Sequence, residues 1–263
     1  MLKSSQRYIS NELTHFVGGN IQPREPFVKK EEVFQKQYSI LTNVLKTGLL
    51  TSHPNQKRGI PCLTQYPNTP ISSNEAYHSM AVCFCDIPLR DLGRHIENYS
   101  SFGLSFDKKF IAQKGGSPIF YIAEKSIEEC GLSPGNTKKE YHDQMHEVCK
   151  HFFERIRKEE LGDDFPSKPG DSVLINLNNG KFIGDIFQIE SFLSFHVFSR
   201  MKFFDHTLED DDKKNFYFER EWRLLGSLDF SLDDVERIIL PKEYSRKFRN
   251  DFPDYYGQIS FVE

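Results

Sequence analysis

Apolar residues recur along this chain at two different periods, and the changes of period mark its elements. Val33, Phe34, Tyr38, Leu41, Val44 and Leu45 stand three and four apart, which is one face of a helix, and Gly48 follows where a helix end favours glycine. Strand character is read instead in "ISNELTHFVGG" near the start, in "AVCFC" (81–85), in "FGLSF" (102–106) and in "PIFYIA" (118–123). The first of these ends in a Gly-Gly turn, beyond which a polar linker rich in Pro and Lys leads to the helix. "DIPLRDLGRHIENY" reads as a turn and a short helix, and "DKKFIAQKGG" as a basic helix. Residues 51–79 carry four prolines among Ser, Thr and Asn, the composition of a lid or binding loop.

From Lys138 to Gly162 the helical period returns, presenting Tyr141, Met145, Val148, Cys149, Phe152 and Ile156 on one side. "GDSVLINLNNGKF" has the Asn-Gly signature of a hairpin, and residues 185–204 read as an aromatic-rich buried helix. After the acidic break "EDDDKK", the stretch 216–224 alternates as a strand, and "ERIIL" (236–240), a charged helix and "GQISFV" (257–262) close the chain. Short strands dominate both ends and helices crowd the middle. The expected class is therefore α+β, one domain over 1–263 with a helical insertion at 124–214.

Composition narrows the function classes. The 263 residues are 38% apolar with 24 Phe and 11 Tyr, enough for a Phe-built core. A formal net charge of −4 argues against a protein that grips nucleic acid through its phosphates. Five cysteines form no disulfide framework, and the Cys83-x-Cys85 pair is expected to face the core. The opening "MLKSSQRYIS" lacks the apolar run of a secretion signal, and no run approaches the length of a spanning helix. These features point to a cytoplasmic protein with reduced thiols and no membrane association.

The most unusual chemistry is in "NFYFEREWRLLG" (215–226). Strand alternation puts Phe216, Phe218, Arg220, Trp222 and Leu224 on one face, and Tyr217, Glu219, Glu221 and Arg223 on the other. Three charges in line fit a solvated face with a Glu–Arg ion pair. They equally fit a cleft wall whose two carboxylates stabilise an oxocarbenium ion or activate a nucleophile. His15 stands at a strand end beside Gly18 and Gly19, which permit close approach of a ligand, although a lone His is also an ordinary packing residue. His95 and Tyr99 lie one helical turn apart and admit the same two readings. His142, His146 and Cys149 fall at i, i+4 and i+7 of a helix, but without the Glu of the metalloprotease pattern no metal is assigned. The chain contains no P-loop, dinucleotide-binding glycine pattern or nucleophile elbow.

Three segments carry a family resemblance: "RYISNELTHFVGG", "ILTNVLKTGLLTS", and the block from "AVCFCDIPLRDLGRHIENYSSFGLSF" to "GGSPIFYIA". Together with "FYFEREWRLLG" they resemble the AbiGi-type abortive phage-resistance proteins, which are labelled antitoxins. That resemblance implies a phage-defence role and a cognate toxin or antitoxin partner. The order of elements also resembles ADP-ribosyltransferase-like proteins of the DarT type, with an early His, a helix ending "GLL" and a late Glu-rich strand. This second resemblance implies a split β-sheet core and NAD as substrate. It implies a ribose contact from His15, a nicotinamide-pocket contribution from Tyr99, with Phe84 and Ser101 as competitors, and Glu221 or Glu219 as the catalytic glutamate, with Arg223 beside them. The acceptor would be a protein side chain, a nucleic-acid base or water. Two alternatives stay open: an antitoxin-like protein that neutralises its partner by contact, and, ranked last, a nuclease, which would need carboxylates converging on a metal where the acidic run Asp210 to Asp212 reads as a solvated loop.

Overall fold

Seven strands hydrogen-bond into one mixed sheet, and its register decides which candidate residues can meet. In chain order the strands of the protein are β1 (Glu12–Phe16), β2 (Leu49–Leu50), β3 (Leu63–Gln65), β4 (Tyr77–Ser79), β5 (Ala81–Cys85), β6 (Gly103–Asp107) and β7 (Ser117–Pro118). They continue with β8 (Phe120–Ala123), β9 (Met201–Phe204), β10 (Glu221–Leu225), β11 (Leu228–Asp229), β12 (Val235–Pro241) and β13 (Gln258–Val262). The helices are α1 (Lys30–Thr47), α2 (Gly93–Asn98), α3 (Lys108–Gln113), α4 (Tyr141–Leu161), α5 (Gly180–Phe192) and α6 (Ser245–Asp251). The computed structural model describes residues 10–19, 21, 30–52, 63–124, 141–161, 180–209, 212 and 215–262.

The chain forms two compact units. Unit 1 takes residues 1–62, 80–119 and 217–263, and its sheet runs β13-β12-β6-β1-β5-β10-β7. Every neighbouring pair in it is antiparallel except β12 and β13. The central strands β1 and β5 meet at a single residue pair, Thr14 with Cys85, whereas β1 pairs with β6 over five residues. One face of the sheet carries Leu13, Val82, Phe84, Leu104, Phe106 and Leu224, and packs against Tyr38, Leu41 and Leu45 of α1. The other face carries Cys85 and Ile239 with Ile87, Leu92 and Phe16. α1 is oriented favourably for its dipole, with Glu31 and Glu32 in its first turn and Lys46 in its last.

Gly48 ends α1 with φ +61, and its carbonyl accepts the Phe230 amide at 2.9 Å. A Cβ there would stand 2.4 Å from the Phe230 carbonyl oxygen. Gly48→Ala is expected to cost about 2 kcal/mol or more, from left-handed backbone strain and the clash together. Gly93→Ala, where a Cβ meets nothing within 4 Å, should be neutral. Equal denaturation midpoints for the two variants would overturn this account.

Unit 2 takes residues 63–79 and 120–216. It holds the antiparallel pair β3–β4, the parallel pair β8–β9, and helices α4 and α5. The described residues of the region read as an insertion at 124–214 thus lie in this unit, which also takes in part of the Pro-rich stretch read as a loop. Asp143 of α4 accepts the amide and hydroxyl of Ser72 at 3.0 and 2.8 Å, and His146 bonds the Tyr77 hydroxyl at 2.6 Å. The helix therefore turns polar groups inward with Phe153. Part of its apolar stripe faces out, with Met145, Val148 and Phe152 at 37%, 57% and 56% exposure, while Tyr141, Cys149 and Ile156 are half-buried.

Other segments also differ from their sequence reading. "PIFYIA" is not one buried strand: the chain passes from unit 1 to unit 2 within it, and Phe120 is more than half exposed. The helix expected over 185–204 is α5 followed by a π turn at Leu193–Val197, a short 3-10 turn and β9. Of the hairpin expected over 170–182, residues 180–182 are helical and the rest fall outside the described residues, as do the opening residues 1–9, the linker 22–29 and Asp210 and Asp211 of the acidic run. No described helix is long and apolar enough to cross a membrane.

Candidate functional site

β10 lies antiparallel to β5, with Glu221 opposite Cys85, Trp222 opposite Phe84 and Arg223 opposite Cys83. Residues paired directly across a sheet share a face, so Glu221, Arg223, Cys83 and Cys85 stand together, away from α1. Trp222 and Phe84 stand on the α1 side, where Lys108 lies 5.7 Å from the indole ring while its ammonium holds Asp86 at 2.8 Å. The alternation read over 216–224 begins only at Glu221. Phe216–Glu219 is a 3-10 turn, and Arg220 takes a left-handed backbone at φ +44 before the strand starts. Asp86 donates its amide to the Arg220 carbonyl at 3.1 Å, and Ile119 donates its amide to the Glu221 carbonyl at 3.1 Å. A non-glycine residue at positive φ persists only where its surroundings hold it, and such strain gathers at functional sites.

Glu221 is buried, and Arg223 grips it with two hydrogen bonds, Nε to Oε1 at 2.6 Å and Nη2 to Oε2 at 3.2 Å. Burial alone would lower the Arg223 pKa, but the Glu221 carboxylate outweighs it and holds the guanidinium above its ordinary range. Glu219 is half-buried and accepts the Tyr99 hydroxyl at 2.6 Å. The Tyr99 pKa is raised by burial first, then by the charge and hydrogen bond of Glu219, with smaller contributions from Glu221 and Cys83. Tyr99, Glu219, Glu221, Arg223 and Cys83 are thus one electrostatic cluster. Two carboxylates against one guanidinium leave it with a net negative charge.

The structure distributes the remaining candidates around that cluster. His15 is half-buried, with Nδ1 2.7 Å from the Cys83 carbonyl oxygen, and its ring meets Phe84 edge-on at 5.8 Å. Desolvation lowers its pKa and the Cys83 carbonyl offsets part of that. It reaches Cys83 from the Phe84 face of the sheet, opposite to Glu221 and Arg223, because Thr14, not His15, shares the face of Cys85. Phe84 is 2% exposed and packs against Phe106 in the main core, so it has no surface to offer a ligand. Ser101 is half-buried in the connection between α2 and β6. Tyr99, Glu219, Glu221 and Arg223 are therefore brought together, and His15 touches the group through the Cys83 backbone.

The Cys83-x-Cys85 pair does not face the core as a unit. Cys83 is exposed, while Cys85 is buried, with its thiol pKa pushed up to about 12 by burial. Both have charged strand partners, Arg223 for Cys83 and Glu221 for Cys85; what separates them is that Cys85 packs in the apolar layer of Ile87 and Leu92. In unit 2, His146 is engaged by Tyr77 and His142 packs on Phe203 at 5.3 Å. Among the described residues no group of three or more His, Cys, Asp or Glu is placed to hold a metal ion.

A family model described as "Putative abortive phage resistance protein AbiGi, antitoxin" matches residues 70–258. The chain belongs to this AbiGi family. The matched span contains Tyr99, Glu219, Glu221 and Arg223 and leaves out His15. The "Abortive phage resistance protein AbiGi" of Lactococcus lactis subsp. cremoris is 29% identical over 189 residues, which cover 65% of this chain and 59% of that AbiGi relative. The chain thus spans less than two thirds of the relative's length. No solved structure matches.

Proposed function

We propose that the chain serves in abortive phage defence, and that its charged cluster acts on the N-glycosidic bond of NAD, as an ADP-ribosyltransferase or a glycohydrolase. The observation that carries the chemistry is the convergence of Tyr99, Glu219 and Glu221, from segments more than a hundred residues apart, on one side of β5. The nicotinamide of NAD is a cationic leaving group, and its departure with the bonding pair leaves positive charge on the ribose. A net-negative cluster beside an aromatic ring suits both. Glu221, fixed by its two hydrogen bonds from Arg223, offsets the oxocarbenium charge without having to reorganise. Glu219 takes the proton of the incoming acceptor, and Tyr99 orients it.

A second reading has its own support. The outward stripe of Met145, Val148 and Phe152 and the family description both favour an antitoxin-like protein that works by contact with a cognate toxin. Incubation with NAD and measurement of free nicotinamide separates the two. Release should fall by about a hundredfold in Glu221→Gln, the scale for losing one preorganised electrostatic contact, and substantially in Glu219→Gln. Neither release nor calorimetric NAD binding by the folded wild type would end the NAD reading and leave the contact reading.

A further inference from the structure

The seven-stranded sheet of unit 1 has two ends, and they differ. One end is β7, two residues long and carrying Pro118, which has no amide hydrogen to offer a further strand. The other end is β13 (Gln258–Val262), and among the described residues no strand pairs with its outer side. Its sequence, "QISFV", contains no charge and no proline, and no bulge interrupts its register with β12. Gln258 and Phe261 are exposed, Phe261 at 47%, so the strand stands open to solvent. An edge strand presents a row of backbone donors and acceptors, and β13 carries none of the charges, prolines or bulges that usually blunt one.

The register of β12 and β13 sets Ile238 beside Ile259 and Leu240 beside Phe261. Ile238, Leu240 and Ile259 belong to the apolar layer on the α1 side, so Phe261 stands at the open margin of that layer. On the other face Ile239 lies beside Ser260, and Val262 packs on the layer of Ile87 and Leu92. The Ser260 hydroxyl accepts Arg237 Nη1 at 2.9 Å, which leaves its own proton to donate.

We infer that β13 is a self-association edge: two copies of this chain pair antiparallel through Gln258–Val262 and join their sheets into one. The strand is complementary to itself. A twofold axis normal to the sheet keeps each residue on its own face only if it passes through a residue, and an axis at Ser260 alone uses the whole strand. Gln258 then lies opposite Val262 of the second copy, Ile259 opposite Phe261, and Ser260 opposite Ser260. Each exposed ring gains a β-branched neighbour on the α1 side, a cross-strand pair of the stabilising kind. The two serine hydroxyls meet as those of Thr14 and Ser105 do at 2.9 Å between β1 and β6. No like charges are opposed, because 258–262 is uncharged. The blunt β7 end cannot receive β13 in a head-to-tail contact, so assembly closes at two copies. A single seam of five residues is small beside a stable interface, which makes the dimer reversible and concentration-dependent. The inference concerns unit 1 alone and rests on neither reading of function.

The test is sedimentation equilibrium of the full chain from micromolar to millimolar concentration, with hydrogen exchange of the β13 amides read at both extremes. The wild type should pass from monomer to dimer, and β13 amides should gain protection as it does. Phe261→Lys puts a charge into the seam twice and should weaken dimerisation by about tenfold or more. At an exposed edge it should leave the denaturation midpoint of the monomer near that of the wild type. Phe152→Lys removes a ring of similar exposure from α4 and should leave the dimer as it is. A monomer at every concentration would overturn the proposal and leave this edge to a strand of another protein. So would a dimer that survives Phe261→Lys, one lost in Phe152→Lys, or one that forms without added protection in β13.

Discussion

Replacing Arg223 by leucine should lower stability by about 3–5 kcal/mol at pH 7, the range for removing one member of a buried ion pair. The reason lies in what is left behind. Glu221 and Arg223 have side-chain exposures of 8% and 17%, and the guanidinium supplies two of the hydrogen bonds that satisfy the carboxylate. Without them Glu221 is a buried anion that has lost a large part of the compensation for its desolvation. Glu221→Gln should cost less, because the amide oxygen still accepts from Arg223 and the more exposed guanidinium reaches water. The double variant Glu221→Gln/Arg223→Leu should recover part of the loss, giving a coupling energy of about 1–3 kcal/mol in a double-mutant cycle. The pH dependence has a definite sign. A stranded carboxylate has a folded-state pKa raised above its unfolded value, so the unfolded state carries fewer protons. The Arg223→Leu deficit should therefore shrink as pH falls from 7 towards 5. A cost under about 1 kcal/mol by chemical denaturation, in the range of exposed pairs, would mean that water screens this pair.

Where local pattern and burial agree, the sequence is a good guide to this protein. The α1 face built on Tyr38, Leu41 and Leu45, the "AVCFC" strand and the strand–helix step at Asp107 are all legible as periods followed by a stop or a cap. At Asp107 the carboxylate caps α3 by accepting the amides of Lys109 and Phe110. The stretch 215–226 was legible as unusual but not as bent, because nothing in an alternating pattern announces a residue at φ +44. That backbone is fixed from outside, by the Asp86 amide on the Arg220 carbonyl and by the pairing of β10 with β5. The orientation of α4 is not legible in the sequence for a related reason. Its inward face is chosen by Ser72 and Tyr77, some seventy residues away, which satisfy Asp143 and His146. Charge pattern located Glu219, Glu221 and Arg223, whereas their grouping with Tyr99 and Cys83, and the separation of His15, depend on strand register. Register is a long-range property that one strand's sequence does not contain.

Phe102→Ala should destabilise unit 1 by about 3–5 kcal/mol, the usual range for truncating a buried phenylalanine. Phe102 is 0% exposed, and three rings meet it edge-on: Phe34 at 5.7 Å and Tyr38 at 6.0 Å from α1, and Tyr244 at 5.1 Å from the turn before α6. Its carbonyl accepts the Val17 amide at 2.9 Å, which ties the end of β1 to the start of β6. Truncation therefore opens a ring-sized cavity beneath α1, with walls that are themselves rigid aromatics and collapse poorly. Phe102→Leu keeps most of the volume and should cost less than half as much. Tyr38→Phe removes only the hydroxyl that Asp251 accepts at 2.6 Å, and hydrogen bonds to charged groups contribute about 1.5–3 kcal/mol. The expected order of loss is Phe102→Ala, then Tyr38→Phe, with Phe102→Leu close to the latter. A Tyr38→Phe cost at or above that of Phe102→Ala would shift the anchoring of α1 from the aromatic contacts to its polar rim. The same variants bear on the candidate cluster, which stands on the opposite face of the sheet from α1. While folded, Phe102→Leu should leave the Tyr99–Glu219 hydrogen bond intact, and a changed Tyr99 ring spectrum in that variant would show that the two faces are coupled through β1 and β5.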